Sequence, residues 1–230
     1  MRHLVLLPGF MCDKDLWADM VPALCPLGTI HHGNVYEDST LEGMAQRVIN
    51  SSPERFVLVG FSMGGFVARV ATLMAPERVT GVAFVASSAR GYSAEEIERR
   101  KAGYRPGDRP PRTAGDVTTA RGLHPDREND PVLLERLRGM QRRLGRDVRK
   151  RQAALVRHDG YADLERIACP SLVVACRQDR LRSFAETERM AQHLPNTRFA
   201  ILDDCGHMAP LERPHELTAL LASWIEGARL

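Results

Sequence analysis

The segment VLVGFSMGG, residues 57–65, carries a spacing of residues that could support nucleophilic catalysis. An apolar run ends at Gly60, and Ser62 is followed by Gly64, which gives the pattern G-x-S-x-G. Glycines at both flanking positions allow a sharp strand-to-helix turn that exposes the serine hydroxyl, because side chains there would collide. Ser62 is therefore the candidate nucleophile, and a chance occurrence of the motif in an ordinary turn is the alternative.

A serine hydroxyl is a weak nucleophile and requires a general base, which is usually a histidine. His207 lies in the glycine-containing segment DDCGHMAP, after the last predicted strand and before the last predicted helix. The carboxyl ends of parallel strands share one edge of a sheet, so this position places His207 on the same side as Ser62. The remaining histidines lie at a strand start, in a weakly patterned strand, at helix ends or in the central segment: His3, His31, His32, His124, His158, His193 and His215.

The histidine needs an acid that fixes its tautomer and stabilises its cation. Asp179 lies just past the strand-like run LVVAC, which places it at the same sheet edge. Asp203 and Asp204 are the alternatives, but they precede His207 by only three or four residues, a position that favours turn hydrogen bonds. The sequence therefore predicts a catalytic triad in the chain order Ser62, Asp179, His207.

Apolar runs alternate with amphipathic segments, which predicts an α/β fold with a mainly parallel sheet covered by helices on both faces. The predicted strands are HLVLLPG, RFVLVG, VTGVAFVASS, PSLVVACRQD and TRFAILDD. The predicted helices lie in STLEGMAQRVINSS, MGGFVARVATLMAPERV, SFAETERMAQHL and PHELTALLASWIEG. Polar, helical sequence without a strand interrupts the alternation, which divides the chain into a core, 1–88 and 158–230, and an insertion, 89–157.

The overall composition is typical of one globular domain with a large insertion. The chain has 230 residues, 43% of them hydrophobic, and no apolar run approaches the roughly 18 residues that span a bilayer. Pro8-Gly9 ends the first apolar run too early for a secretory signal, which favours a cytoplasmic protein. The five cysteines form no CxxC pair, so neither a metal site nor a disulfide framework is predicted.

Charge is unevenly distributed along the chain. Residues 88–157 hold 18 Lys and Arg against 10 Asp and Glu, whereas the rest holds 14 against 19. A basic segment is typical of nucleic-acid binding, but no aromatic interleaving or recognisable motif accompanies it, so we expect no nucleic-acid partner. Solvated helix faces are the plainer interpretation, and a docking site for an acidic partner is the alternative.

Taken together, these residues resemble the α/β-hydrolase superfamily, in particular its small lidded esterase-like and lactonase-like members. The resemblance rests on LLPGF and LW within residues 6–17, GFSMGG, RQDRL and CGHMAPLERP, and it covers about 1–88 and 158–230. It implies about six strands, because the two edge strands common in larger relatives have no counterpart here. Pro8-Gly9 also replaces the His-Gly of many relatives, which alters the stiffness of the loop after the first strand.

The resemblance further implies an oxyanion hole made from two backbone amides, those of Phe10 and Met63. Backbone donors leave no side-chain signal, and the alternative for Phe10 is a core aromatic beside the site. The insertion, 89–157, would form a helical lid over Ser62. Its apolar stripe has near-helical spacing and consists of Leu133, Leu134, Leu137, Met140, Leu144 and Val148.

The function that these assignments imply is hydrolysis of a small carboxylic ester or lactone through an acyl-enzyme. Recruitment of an anionic substrate is an alternative role for the insertion's arginines, for which a solvated face is the favoured interpretation. His207 would accept the Ser62 proton and then protonate the leaving alcohol. We expect no cofactor, metal or membrane partner, and a monomer or homodimer. Two alternatives use the same fold: a C–C bond hydrolase or lyase with the same triad, and a receptor-like member that binds its ligand with little turnover.

Overall fold

The computed structural model of the protein describes residues 2–102 and 120–230. Six parallel strands form one sheet in the order β2-β1-β3-β4-β5-β6. The strands are β1 (His3–Leu7), β2 (Thr29–His32), β3 (Phe56–Phe61), β4 (Val79–Val85), β5 (Ser171–Cys176) and β6 (Thr197–Leu202). This architecture confirms the predicted α/β fold and its parallel sheet of about six strands.

Nine α-helices accompany the sheet in the described part of the chain. They are α1 (Val21–Leu24), α2 (Leu41–Ser51), α3 (Met63–Met74), α4 (Ala94–Ala102), α5 (Pro131–Ala153), α6 (Tyr161–Leu164), α7 (Phe184–Gln192), α8 (Ala209–Glu212) and α9 (Pro214–Gly227). The sequence pattern predicted α2, α3, α7 and α9. It missed α1, α6 and α8, because a four-residue helix is too short to show a helical period.

Two hydrophobic clusters bury the two faces of the sheet. Leu4 and Leu6 of β1 join a cluster that includes residues of α9, whereas Val5 and Leu7 join a cluster that includes residues of α2 and α3. Successive side chains of a strand point to opposite faces, and here both faces are buried. This explains why the strands read as continuous apolar runs rather than as an alternating pattern.

Helix α5 is the largest described element of the segment between β4 and β5. The Asp130 side chain accepts hydrogen bonds from the amides of Val132 and Leu133 at 2.8 and 3.1 Å, which caps its N-terminus. Leu137 and Met140 are buried in the core cluster, so these residues of the predicted apolar stripe pack against the core. A non-helical residue, Gly145, interrupts the helix with φ +75° and ψ −172°. Residues 103–119 of the predicted insertion lie outside the described residues, and the division at 89–157 stays a prediction.

Several arginines in the described part of this segment lie against acidic side chains of the core. Arg143 contacts Asp13 at 2.7 Å, and Arg127 contacts the buried carboxylate of Glu212 at 3.1 Å. Arg136–Asp19 and Arg90–Glu186 are further pairs of this kind, whereas Glu128 of the segment pairs with Arg180 of the core. Several arginines that suggested a charged surface thus form ion pairs within the chain.

Acidification is expected to destabilise the fold through a histidine pair on β1 and β2. His3 Nδ1 and His31 Nε2 lie 3.0 Å apart, and burial together with the charge of His3 lowers the pKa of His31 below 6.5. A lowered folded-state pKa means that the unfolded chain binds the proton first, so stability falls as the pH drops below about 6.5. Thermal unfolding at pH 7.5 and 5.5 should show a smaller acid-induced loss in His31→Gln than in the wild type. The control is His215→Gln, on the exposed start of α9. If its acid-induced loss of stability is reduced as much as that of His31→Gln, this assignment is contradicted.

Candidate active site

Ser62 lies in the sharp turn between β3 and α3, as the glycine pattern predicted. Its backbone has φ +50° and ψ −111°, a conformation that costs free energy for a residue with a side chain. The turn is held because the Ser62 amide donates to Val85 O at 2.9 Å and Ser87 Oγ donates to Ser62 O at 2.9 Å. The rigid end of the sheet therefore fixes a strained serine at the N-terminus of a helix.

The flanking glycines are required by close approach of the backbone. A Cβ added to Gly60 would lie 2.6 Å from Gly64 O, and one added to Gly64 would lie 2.3 Å from Leu7 O. Both distances are shorter than a Cβ can adopt without displacing the backbone it meets. Because Gly64 has no side chain, the start of α3 packs directly against the end of β1 and brings Ser62 beside the loop that follows β1.

His207 and Asp179 complete a hydrogen-bonded chain that begins at Ser62. Ser62 Oγ lies 2.8 Å from His207 Nε2, and His207 Nδ1 lies 2.7 Å from Asp179 Oδ2. The side chains of His207 and Asp179 are 6% and 1% exposed. A carboxylate can only accept, so the proton lies on Nδ1 and Nε2 is left as the acceptor for the serine hydroxyl. The structure thus brings together the three side chains that the sequence singled out from three separate loops.

Asp179 is oriented by the backbone of its own loop. Its Oδ1 accepts hydrogen bonds from the amides of Leu181 and Arg182 at 2.7 and 2.8 Å, which leaves Oδ2 facing the histidine. The alternatives lie elsewhere. Asp203 pairs with Arg177 at the surface, and Asp204 pairs with Arg127.

The loop that carries His207 is braced by residues from the segment before α5. The Met208 amide donates to Gly122 O at 3.1 Å, and the His124 amide donates to Glu212 Oε2 at 2.8 Å. A Cβ added to Gly206 would lie 2.3 Å from the His124 nitrogen. Gly206 therefore allows this segment to pack directly against the residue that precedes His207.

The loop after β1 lies on the other side of Ser62. A Cβ added to Gly9 would lie 3.3 Å from Ser62 Cβ, so the residue that precedes Phe10 is close to the serine. Residue Phe10 is 39% exposed, which contradicts the alternative that it is a core aromatic. Met63 is fully buried as the first residue of α3, and its amide belongs to the helix N-terminal groups that lack an intrahelical acceptor.

Two buried polar residues near the site gave no recognisable sequence signal. Glu212 accepts from His124 and Arg127, and Gln152 contacts the loop after β1. Both pair with residues far away in the chain, and Gln152 lies in a helix whose pattern reads as polar. Across residues 2–102 and 120–230, no group of three or more His, Cys, Asp or Glu side chains could hold a metal ion. Within the same residues, no helix has the length and apolar character needed to span a bilayer.

Comparison with known proteins identifies the family. A model described as the alpha/beta hydrolase family matches residues 4–220, which include the three clustered side chains and the loop after β1. The chain belongs to the alpha/beta hydrolase family. Among solved structures, this alpha/beta hydrolase is similar to a thermophilic esterase from Thermogutta terrifontis, with a TM-score of 0.84 and 24% identity over 100% of this chain and 91% of that one. An enol-lactonase from Burkholderia xenovorans LB400 gives a TM-score of 0.83 and 21% identity over 98% and 91%.

The curated relatives of this chain include proteins named as esterases. A pimeloyl-(acyl-carrier protein) methyl ester esterase of Photobacterium profundum is 37% identical over 100 residues, which cover 40% of this chain and only 39% of that relative. A protein of the same name from Aromatoleum aromaticum is 25% identical over 97% of this chain and 98% of its own length. The stronger identity is thus confined to part of the fold, and the weaker one extends along nearly all of it.

Proposed function

We propose that this alpha/beta hydrolase cleaves small carboxylic esters or lactones with Ser62 as the nucleophile. The observation that carries the proposal is the continuous chain from Ser62 Oγ through His207 to Asp179, with links of 2.8 and 2.7 Å. This arrangement activates a hydroxyl for attack on a carbonyl and requires no other group to move the proton.

In the proposed reaction, His207 Nε2 accepts the proton as Ser62 Oγ attacks the ester carbonyl carbon. The imidazolium that forms is stabilised by Asp179, which stays ionised. His207 then gives this proton to the leaving alkoxide, which departs as the alcohol and leaves an acyl-serine. Water repeats the sequence with His207 as base, so the acid is released and Ser62 regains its proton.

Phe10 and Met63 are the proposed oxyanion donors through their backbone amides. Met63 N–H lies at the positive end of the α3 dipole, where negative charge is favoured. Donors of this kind act on charge that develops only in the tetrahedral intermediate, and removal of one lowers kcat by roughly 10²- to 10³-fold. The position of Gly9 against Ser62 supports the placement of Phe10.

Two further parts of the proposal concern the bond that is cleaved and the role of the insertion. The names of relatives, methyl ester esterases and an enol-lactonase, support a small ester or lactone as the bond that is cleaved. The contacts of residues 122–124 with the His207 loop and of α5 with the loop after β1 support the second part, that the insertion is a lid over Ser62.

The test is the turnover of a substrate series by the wild type. We expect hydrolysis of p-nitrophenyl acetate and butyrate, and of γ-butyrolactone or a monomethyl dicarboxylate ester, with the octanoate ester reporting the length of the acyl site. Ser62→Ala should lose this turnover, and its matched control is Ser223→Ala, which removes a hydroxyl on the surface of α9 and should leave the turnover unchanged. A folded wild type that hydrolyses none of these would contradict the proposal and favour a C–C substrate or a ligand that is bound without turnover.

A further inference from the structure

Gln152, near the end of α5, makes two hydrogen bonds that join the loops following β1 and β2. Its Oε1 accepts from the Met11 amide at 2.8 Å, and its Nε2 donates to Val35 O at 3.1 Å. The side chain is 2% exposed. Both ends of the amide are therefore satisfied inside the protein, with the acceptor facing a donor and the donor facing an acceptor.

Met11, the residue that Gln152 contacts, is backbone-strained. It has φ +54°, in the left-handed region that residues with a Cβ adopt at a cost. Met11 occupies the third position of a four-residue turn that Cys12 N closes by donating to Gly9 O at 3.2 Å. Turns with a positive φ at the third position normally place glycine or asparagine there, so external contacts have to maintain this conformation.

The same turn carries the Phe10 amide. Gly9 C=O and Phe10 N–H belong to one peptide unit, and Gly9 O is the acceptor that closes the turn. The shape of the turn thus sets the direction in which Phe10 N–H points. The Met11 amide belongs to the next peptide unit, so if Met11 relaxed to a negative φ, that unit would rotate and the constraint on the neighbouring Phe10 amide would be lost.

We infer that Gln152 is a positioning residue that holds this turn in the shape required for an oxyanion donor. The inference rests on the proposed function and extends it, since it gives the insertion a role in transition-state stabilisation as well as in covering Ser62. Gln152 does not touch the reacting atoms. It acts through the Met11 amide, which donates to Gln152 Oε1.

The variant Gln152→Met tests this role, because methionine has a similar length and removes both hydrogen bonds. With p-nitrophenyl butyrate, we expect kcat per titrated active site to fall about 10- to 100-fold, less than for complete loss of an oxyanion donor. The KM should stay within about threefold, because ground-state binding does not use the oxyanion donors. Affinity for an alkyl trifluoromethyl ketone, whose Ser62 adduct carries an oxyanion, should fall by the same factor as kcat/KM.

The matched control is Arg151→Met on the same helix. Arg151 Nε donates to Tyr36 O at 2.8 Å, which lies outside the turn, so the kcat of Arg151→Met should stay within about twofold of the wild type. Equal losses in the two variants would mean that α5 is only loosened, and this would overturn the inference. Unchanged ketone affinity in Gln152→Met, or kcat within about twofold of the wild type, would also overturn it.

A second substitution tests the strained residue directly. Glycine adopts a positive φ freely, so Met11→Gly added to Gln152→Met should recover part of the lost kcat, whereas purely structural losses would accumulate. If Gln152→Met does not fold, Gln152→Asn shortens the amide by one methylene without changing its charge and should lower the ketone affinity; an unchanged affinity overturns the inference. An inactive wild type would instead contradict the proposed function itself, and the two failures are therefore distinguishable.

Discussion

Ser62→Ala is expected to lower kcat for p-nitrophenyl butyrate by at least about 10⁴-fold, because loss of the serine from a comparable triad lowers kcat by about 10⁶-fold. Alanine removes the oxygen that forms the acyl-enzyme. The residual rate would come from the oxyanion donors and from substrate binding. Steady-state kinetics on purified protein, with product formation followed for hours in the mutant, measures the effect.

The fold should tolerate this substitution. The Ser62 hydroxyl contacts His207, and the backbone bonds to Val85 and Ser87 do not use the side chain. We therefore expect the thermal transition of Ser62→Ala to stay close to that of the wild type. If Ser62→Ala keeps more than a few per cent of wild-type kcat, another residue performs the attack and the assignment of the nucleophile is wrong.

Asp179→Asn is expected to lower kcat by about 10³- to 10⁴-fold with a small change in KM. The reason lies in the two amides that bind Asp179 Oδ1, those of Leu181 and Arg182. An asparagine has to keep its oxygen at that position, because its NH₂ group would face two donors. The NH₂ group then faces His207 and donates to Nδ1, so the ring proton moves to Nε2, which can no longer accept the Ser62 proton.

The control for this prediction is Asp203→Asn. Asp203 was the competing acid on sequence grounds, and its side chain is 76% exposed beside Arg177. We expect its kcat to stay within about twofold of the wild type. Comparable losses in Asp179→Asn and Asp203→Asn would show that His207 is not oriented by Asp179 alone.

The fold was accessible from sequence wherever a long element carried a simple pattern. Buried parallel strands such as β3 are continuously apolar because both sheet faces are covered, and α2, α3, α7 and α9 are long enough to show a helical period. The sequence signal of strand β2 was weak for a related reason. As an edge strand, its residues Thr29–His32 are half-buried or exposed and mostly polar, which leaves little apolar signal.

The three clustered side chains were also accessible, because each follows a strand that the pattern identifies. The buried polar residues that hold the surrounding loops in place were not accessible from the sequence. Gln152 binds Met11 across 141 positions, and Glu212 binds His124 across 88, so no local pattern relates the partners. The basic charge of the insertion was visible, but its pairing with Asp13 and Glu212 depends on the tertiary fold.

The most direct test of the central claim is covalent labelling with an alkyl fluorophosphonate, which the Ser62 oxygen attacks with loss of fluoride. Intact-protein mass spectrometry should show one adduct per chain, peptide mapping should place it on Ser62, and ester hydrolysis should disappear in proportion to labelling. Ser62→Ala should remain unlabelled, whereas Ser223→Ala should label like the wild type. Two results would contradict the account. In one, the wild type is active but its Ser62 peptide stays unmodified; in the other, activity is lost as another residue is labelled.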